Sequence, residues 1–206
     1  MEEQQTTNNH ILLCGEMDSM PAFSHENHGR RFCRFMLTVR RLSGTADRIP
    51  VLADWDQLEE ADVCPGERIA VEGQIRSYNQ KSEDGRHLIV SVYASVLESS
   101  AEAHDNQVSL TGRLCRDPIF RCTPLGREIC DAMLAVSRPY RRSDYIPCIF
   151  WGRTAREIAR LSAGAEVALT GRLQSRDYNK RLEDGSLLQR TAYEVSAISA
   201  EPLVYD

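Results

Sequence analysis

Val108, Leu110, Gly112 and Leu114 alternate with polar positions, the two-residue period of a strand with one buried face. Ile129 to Arg138 and Tyr145 to Trp151 are further strand candidates. Arg153 to Leu161 then sets Ile158 and Leu161 on one helical face, and Ala163-Gly164 supplies a helix stop. Strands over Glu166 to Ser175 and Leu187 to Ile198 follow, joined by an arm that closes in Glu183-Asp-Gly185, a hairpin turn sequence. The pattern predicts five strands with one helix between the third and fourth.

The same pattern occurs twice. At an offset of 97, Leu13-Cys-Gly15 falls on Leu110-Thr-Gly112, Pro21 on Pro118, and Phe23 on Phe120. Gly29-Arg30 falls on Gly126-Arg127, Met36-Leu37 on Met133-Leu134, and Ile49-Pro50 on Ile146-Pro147. Positions 13–50 give 14 identities in 38 without a gap. The offset then rises to 98 at Gly73/Gly171 and to 100 at Glu83-Asp-Gly85/Glu183-Asp-Gly185. A period this long is too great for a solenoid repeat and marks a duplicated domain. The first copy carries a shorter helix, Gln57 to Val63. The expected organisation is a disordered N-terminus over 1–8, a first unit over 9–97, a linker over 98–105 and a second unit over 106–203. Five strands with a helix between the third and fourth is the element order of an OB-fold. The expected class is therefore all-β, with two tandem OB-folds, each a five-stranded Greek-key barrel with one short helix. Periodicity alone does not separate this from another small barrel.

Charge changes the picture. The net −5 argues at first against a nucleic-acid partner, but the halves differ. Residues 1–104 hold 10 Lys/Arg against 17 Asp/Glu, a balance of −7, and residues 105–206 hold 15 against 13, a balance of +2. A local basic groove, not the overall sum, decides nucleic-acid binding. Apolar runs fall far short of the roughly 18 residues of a membrane span. The first nine residues lack the basic and apolar regions of a signal peptide, so a cytoplasmic, nucleoid-associated location is expected and no membrane partner. The seven cysteines contain no Cys-x-x-Cys pair and read as small reduced hydrophobes. His25 and His28 lie in a loop without further ligand candidates. No Walker loop, Gly-x-Ser-x-Gly elbow or Gly-x-Gly-x-x-Gly appears. No metal, cofactor or catalytic residue is expected, and the chain does not read as an enzyme.

The second unit carries a run of linked motifs. These are Asn106-Gln-Val-Ser-Leu-Thr-Gly-Arg-Leu-Cys-Arg-Asp-Pro118, Leu134-Ala-Val-Ser-Arg-Pro-Tyr140, Asp144-Tyr-Ile-Pro-Cys-Ile-Phe-Trp-Gly-Arg153, Gly171-Arg-Leu-Gln-Ser-Arg-Asp-Tyr178 and Thr191-Ala-Tyr-Glu-Val195. In order and spacing they resemble the bacterial single-stranded DNA-binding protein family, from Asn106 to about Glu201. Binding of a single strand without sequence choice needs flat rings for bases and cations along the backbone path. Strand alternation puts Ile146, Cys148 and Phe150 in the core and Tyr145 and Trp151 on the outer face, with Pro147 and Ile149 between them. Tyr140 stands at the mouth of a loop and Tyr178 on the arm. The resemblance implies that Tyr140, Tyr145, Trp151 and Tyr178 are base-stacking positions. Among the cations, Arg138, Arg141 and Arg142 flank Tyr140, and Arg176, Lys180 and Arg181 flank Tyr178. Arg113, Arg116, Arg153 and Arg172 complete the set, and Arg153 and Arg176 match basic positions of the family motif.

The first unit departs from that pattern. Arg48, Pro50, Leu52 and Asp54 occupy the slots of Tyr145, Pro147, Ile149 and Trp151, and Leu42-Ser43 replaces Pro139-Tyr140. Trp55 and Tyr78 remain, but Trp55 aligns one position late and would face inward unless a bulge shifts it. The first unit is expected to be degenerate as a DNA platform, serving as a built-in pseudo-dimer partner with at most a weak extension of the DNA path. Resemblance to tandem family members implies a homodimer that supplies four OB-folds. The family's acidic tail tip has no counterpart at Glu201-Pro-Leu-Val-Tyr-Asp206, which puts tail-mediated recruitment in doubt. Two readings stand: a single-stranded DNA binder in replication, recombination or repair, or an accessory subunit whose OB surfaces bind protein. Stacking and phosphate contacts do not by themselves distinguish DNA from RNA.

Overall fold

The computed structural model describes residues 8–82, 85–181 and 185–203. Residues 1–7 of the expected disordered N-terminus, Glu83-Asp84 and Glu183-Asp184 of the two arm turns, and the last three residues lie outside the described residues. The first unit runs β1 (Asn9–Met17), β2 (Ala22–Asn27), β3 (Arg30–Arg40), β4 (Ala46–Asp54), α1 (Trp55–Ala61), β5 (Arg68–Ser82) and β6 (Gly85–Ser99). The second runs β7 (Asp105–Leu114), β8 (Ile119–Cys122), β9 (Glu128–Arg138), β10 (Arg142–Trp151), α2 (Gly152–Ile158), β11 (Glu166–Arg181) and β12 (Leu187–Leu203).

Each unit closes into a barrel. β1 pairs with β3 and β5, β3 with β4, β5 with β6, and a short parallel contact between β4 and β6 completes the ring. β7, β9, β10, β12 and β11 repeat the circuit, again closed by one parallel pair, β10 with β12. These are two OB-folds in tandem. Glycine makes the closure possible where the first strand of each unit crosses the third: a Cβ on Gly15 would stand 2.6 Å from the Thr38 carbonyl oxygen, and one on Gly112 2.8 Å from that of Ala135.

Three expectations need adjustment. Each unit has six strands, because β2 and β8 form short hairpins outside the barrel with β3 and β9. In the first, His28 and Gly29 both take positive φ, the conformation of a two-residue hairpin turn. The helices begin earlier than expected: the Asp54 carboxylate accepts from the Asp56 amide and caps α1 at Trp55. The arm strands run six residues past Ser175, since β11 stays in register with β12 through Arg181.

Alternation fills both barrels. Ile11, Leu13, Phe35, Leu37, Ile49, Val71 and Ile75 point into the first, while Leu110, Leu134, Ile146, Phe150, Leu169 and Leu173 point into the second. Leu58 of α1 and Ala155 and Ile158 of α2 pack onto the same apolar cluster. Each of these larger side chains, Ala155 excepted, contributes roughly 1.5–3 kcal/mol by leaving water.

The barrels are joined through β1 and β7, which pair antiparallel from Asn9↔Leu110 to Cys14↔Asp105. Asn8 adds to the joint, its carbonyl accepting from Thr111 N–H and its side chain donating to the Ser137 carbonyl. Two identities of the repeat, Asp47/Asp144 and Arg41/Arg138, lock this arrangement. Asp144, with no exposed surface, accepts from the Ser77 amide at 2.7 Å, from Arg76 at 3.1 Å and from Arg138 at 3.3 Å. Asp47 mirrors it, accepting from the Ser175 amide at 2.7 Å and from Arg41 at 2.6 and 2.7 Å. Each aspartate therefore reaches from one barrel to the arm of the other. Asp144→Ala would leave Arg76 and Arg138 half-buried without their counter-charge and the Ser77 amide without an acceptor. The expected loss is about 2–3 kcal/mol in urea unfolding, and a change under about 0.5 kcal/mol would contradict the lock.

Candidate nucleic-acid interface

The outer face of the β9–β10 hairpin gathers the candidate aromatics. Ile146, Cys148 and Phe150 are buried as alternation requires, which turns Tyr145 (46% exposed) and Trp151 (40%) outward. Six residues apart on one strand, they stand about 20 Å from each other. Ile149 between them is buried beside its parallel partner Ser196, so the row is interrupted by a covered aliphatic. Ser196 also accepts from the Trp151 indole N–H at 3.0 Å, which fixes the ring edge and leaves a face open.

Tyr140 sits at the hairpin end in a 3₁₀ turn over Pro139–Arg141 and is 94% exposed. Tyr140 and Arg141 both take positive φ, at 63° and 55°, which throws the ring away from the barrel. Tyr178 lies on the β11 arm, with the Arg176 guanidinium 6.0 Å from its ring centroid. At that distance the cation pre-orients the ring.

The candidate cations differ in how free their charge is. Arg138 is committed to Asp144, Arg153 to Glu157 at 2.8 Å, and Arg113 to Glu166 at 3.1 Å. Among the described residues Arg176 has only a distant carboxylate, Glu194 at 3.9 Å. Arg141 has no ion pair among the described residues. Lys180 shares the β11 arm with Arg176 and Tyr178. Arg113 pairs across to Ala135, which pairs with Tyr145, so register sets it on the Tyr145 face two strands away, about 10 Å. The structure thus groups Arg138, Tyr140, Arg141 and Tyr145 at one hairpin end, Trp151 and Arg153 at the other, and Arg176, Tyr178 and Lys180 on the arm.

Sequence reasoning missed several supports. Arg121 of β8 occupies the row of Ile129 and Trp151, with its charge held by Asp131 at 2.6 Å. Ser77 of the first unit accepts from the Tyr145 amide at 2.7 Å, and Arg76 braces Asp144 beside it. The repeat aligns Ser77 with Ser175, but pairing across the units is not visible in one dimension.

The first unit's equivalent strand is internally neutralised. Arg48, in the slot of Tyr145, binds Asp18 at 2.7 Å. Burial alone would raise the Asp18 pKa, but hydrogen bonds from Arg48 and Thr38 outweigh it and hold the carboxyl below its usual value. Asp54, in the slot of Trp151, pairs with Arg30 at 2.6 Å. Trp55 packs half-buried against the apolar core, as its register implied: it opens α1, donates its indole N–H to Glu59, and lies 5.7 Å from the Arg31 guanidinium.

Among the described residues no group of three or more His, Cys, Asp and Glu could hold a metal, and no helix is long and apolar enough to cross a membrane. Burial, reinforced by Asp131, pushes the Cys130 thiol up to about 11, and burial raises Cys148 further.

A model of the single-strand binding protein family matches residues 105–203. The "Single-stranded DNA-binding protein" of Halalkalibacterium halodurans is 40% identical over 81 residues, covering 36% of this chain and 48% of the relative. "Single-stranded DNA-binding protein A" of Bacillus subtilis is 39% identical over 83 residues, covering 37% and 48%. The chain spans about half the length of these curated relatives. Across both units the fold matches the crystal structure of wild-type single-stranded DNA binding protein from Thermus aquaticus. That match has a TM-score of 0.74 and 24% identity, and covers 96% of this chain and 94% of the other. The likeness extends the tandem OB arrangement over both units.

Thiol chemistry offers a check on the geometry. Cys64, Cys115 and Cys122 are exposed, and Cys14, Cys33, Cys130 and Cys148 are buried. A disulfide exchange reagent at pH about 8 is expected to modify three thiols in the native protein and the rest only on unfolding. Native reaction at Cys130 or Cys148 would contradict the placement of β9 and β10.

Proposed function

We propose that this protein binds single-stranded DNA largely without sequence choice and keeps it unpaired during replication, recombination or repair. One observation carries the reading: exposed Tyr140 and Tyr145 share a hairpin end with Arg141, which has no ion pair among the described residues, so rings for bases and a cation for phosphates stand on one surface. Trp151 with Arg153 and Tyr178 with Arg176 and Lys180 extend the path along β10 and the β11 arm. The match of residues 105–203 to the single-strand binding protein family supports the same substrate.

The chemistry asked of the site is modest. Stacking contributes on the order of 1–3 kcal/mol per base, and phosphate contacts add a salt-sensitive term. No bond is made or broken, so the protein acts as a binder and not as a catalyst. A homodimer would supply four OB-folds, since β1 and β7 already make inside one chain the pairing between two barrels. The working location is the cytoplasm, at the nucleoid.

Oligo-dT is expected to quench the emission of Trp151, and Trp151→Phe should abolish the quench while Trp55→Ala retains it. Tyr145→Ala combined with Trp151→Ala should weaken binding by about 100-fold or more, against less than about 3-fold for Trp55→Ala. Added salt should lower the logarithm of affinity with a slope of about −0.7 per phosphate contact. Equal losses from the two sets of substitutions would refute the division of labour, and stronger competition by oligo-U or duplex DNA would refute the choice of ligand. Light scattering should return twice the chain mass, and a monomer mass would refute the homodimer.

A further inference from the structure

The first unit has a groove of its own, about 650 Å³, between the β2–β3 hairpin and the β5–β6 arm. Its floor is aromatic. Phe32 is buried, His25 stacks on it at 4.9 Å and 12°, and Tyr93 lies tilted 6.2 Å away. Tyr78, 46% exposed, forms a wall. His25 is exposed.

These rings are not the family's stacking positions. The offset of 97 puts His25 and Phe32 on Cys122 and Ile129. The matching parallel pairs Leu52↔Tyr93 and Ile149↔Ser196 put Tyr93 on Ser196. Ser77 and Ser175 bind equivalent aspartates, so Tyr78 corresponds to Arg176 and not to Tyr178. The first barrel lacks aromatics in the Tyr145 and Trp151 slots and carries four others on its own groove.

Charge in the groove is also opposite to the balance of its half. Arg34, Arg76 and Arg138 line it, and among the described residues no carboxylate does. The buried Asp144 offsets one of these charges through Arg76 and Arg138, and Arg34 donates to the Ser24 hydroxyl, with no ion pair among the described residues. Glu26, between the lining residues His25 and Asn27 on β2, alternates to the other face of the strand, and Asp18, Asp54 and Asp56 are tied to Arg48, Arg30 and Arg31. Arg138 belongs both to this groove and to the hairpin end that carries Tyr140 and Tyr145.

We propose that this groove is a second single-stranded DNA site, in which Tyr78, His25 and Tyr93 receive bases, Arg34 and Arg76 hold phosphates, and the strand crosses from the second unit over Arg138. The proposal rests on the function argued above and replaces the expectation of a degenerate first barrel. Each OB-fold covers roughly 4–16 nucleotides, so a short strand fits on one barrel and a long one reaches both.

The test compares oligo-dT of about 10 and about 30 nucleotides on the full chain carrying Tyr78→Ala with Arg34→Glu. The long strand should bind about 10-fold more weakly than to the wild type and the short one unchanged, with the thermal midpoint retained. Wild-type affinity for the long strand would overturn the groove while leaving the second-unit site intact, as Tyr145→Ala with Trp151→Ala would still show. If the wild type binds neither strand, both readings fall. Should the variant not fold, photo-crosslinking of wild type to a bromodeoxyuridine strand decides: adducts at His25, Tyr78 or Tyr93 support the groove, and adducts confined to the second unit overturn it.

Discussion

Two buried aspartates set the geometry on which everything else hangs. Asp47 and Asp144 each leave one barrel and accept the backbone amide of a serine, Ser175 or Ser77, on the arm of the other. An aspartate without exposed surface is tolerated only when its oxygens are fully engaged and its charge is met. Arg41 and Arg138 meet the charge from within each barrel, and the serine amide that completes the set comes from across the joint. Together with the β1–β7 ladder, the pair fixes the two OB-folds in one relative orientation. The Tyr145 amide donates to Ser77 within this lock, so the first unit helps to hold the ring row of the second.

That constraint explains an asymmetry inside a duplicated sequence. The halves share the residues that close the barrels, Gly15/Gly112 and Gly73/Gly171, and those that lock the joint, Asp47/Asp144 and Arg41/Arg138. They differ where a ligand would touch. In the second unit β10 shows rings beside cations, whereas the matching strand of the first spends its charges on one another, Arg48 with Asp18 and Asp54 with Arg30. The aromatic surface of the first unit has moved to the groove under the β2–β3 hairpin. Duplication kept the frame and let the surfaces diverge.

Much of this was legible in the chain. Period-two alternation gave β9 to within one residue and β7 and β10 to within three at their starts, because each has one face in a barrel. Tyr140, Tyr145, Trp151 and Tyr178 all emerge exposed, as alternation and the family resemblance implied. Other features were hidden for physical reasons. β2 and β8 lie outside the barrels with little burial, so they lack a hydrophobic period. The −7 balance of the first half concealed a groove that, among the described residues, has no carboxylate lining, because pairing between charges is a property of space and not of composition. Ser77 and Ser175 looked like ordinary strand serines until the fold brought each against an aspartate from the other unit.

Amide hydrogen exchange with and without oligo-dT tests the central claim most directly, that one rigid joint presents a strand path across both barrels. The account predicts slow exchange along β1 and β7 whether or not DNA is present. DNA should add protection at the hairpin end around Tyr140 to Tyr145, on the arm around Arg176 to Lys180, and around Tyr78 in the first unit. Fast exchange at the β1–β7 ladder, or DNA protection concentrated there instead of on these surfaces, would contradict it.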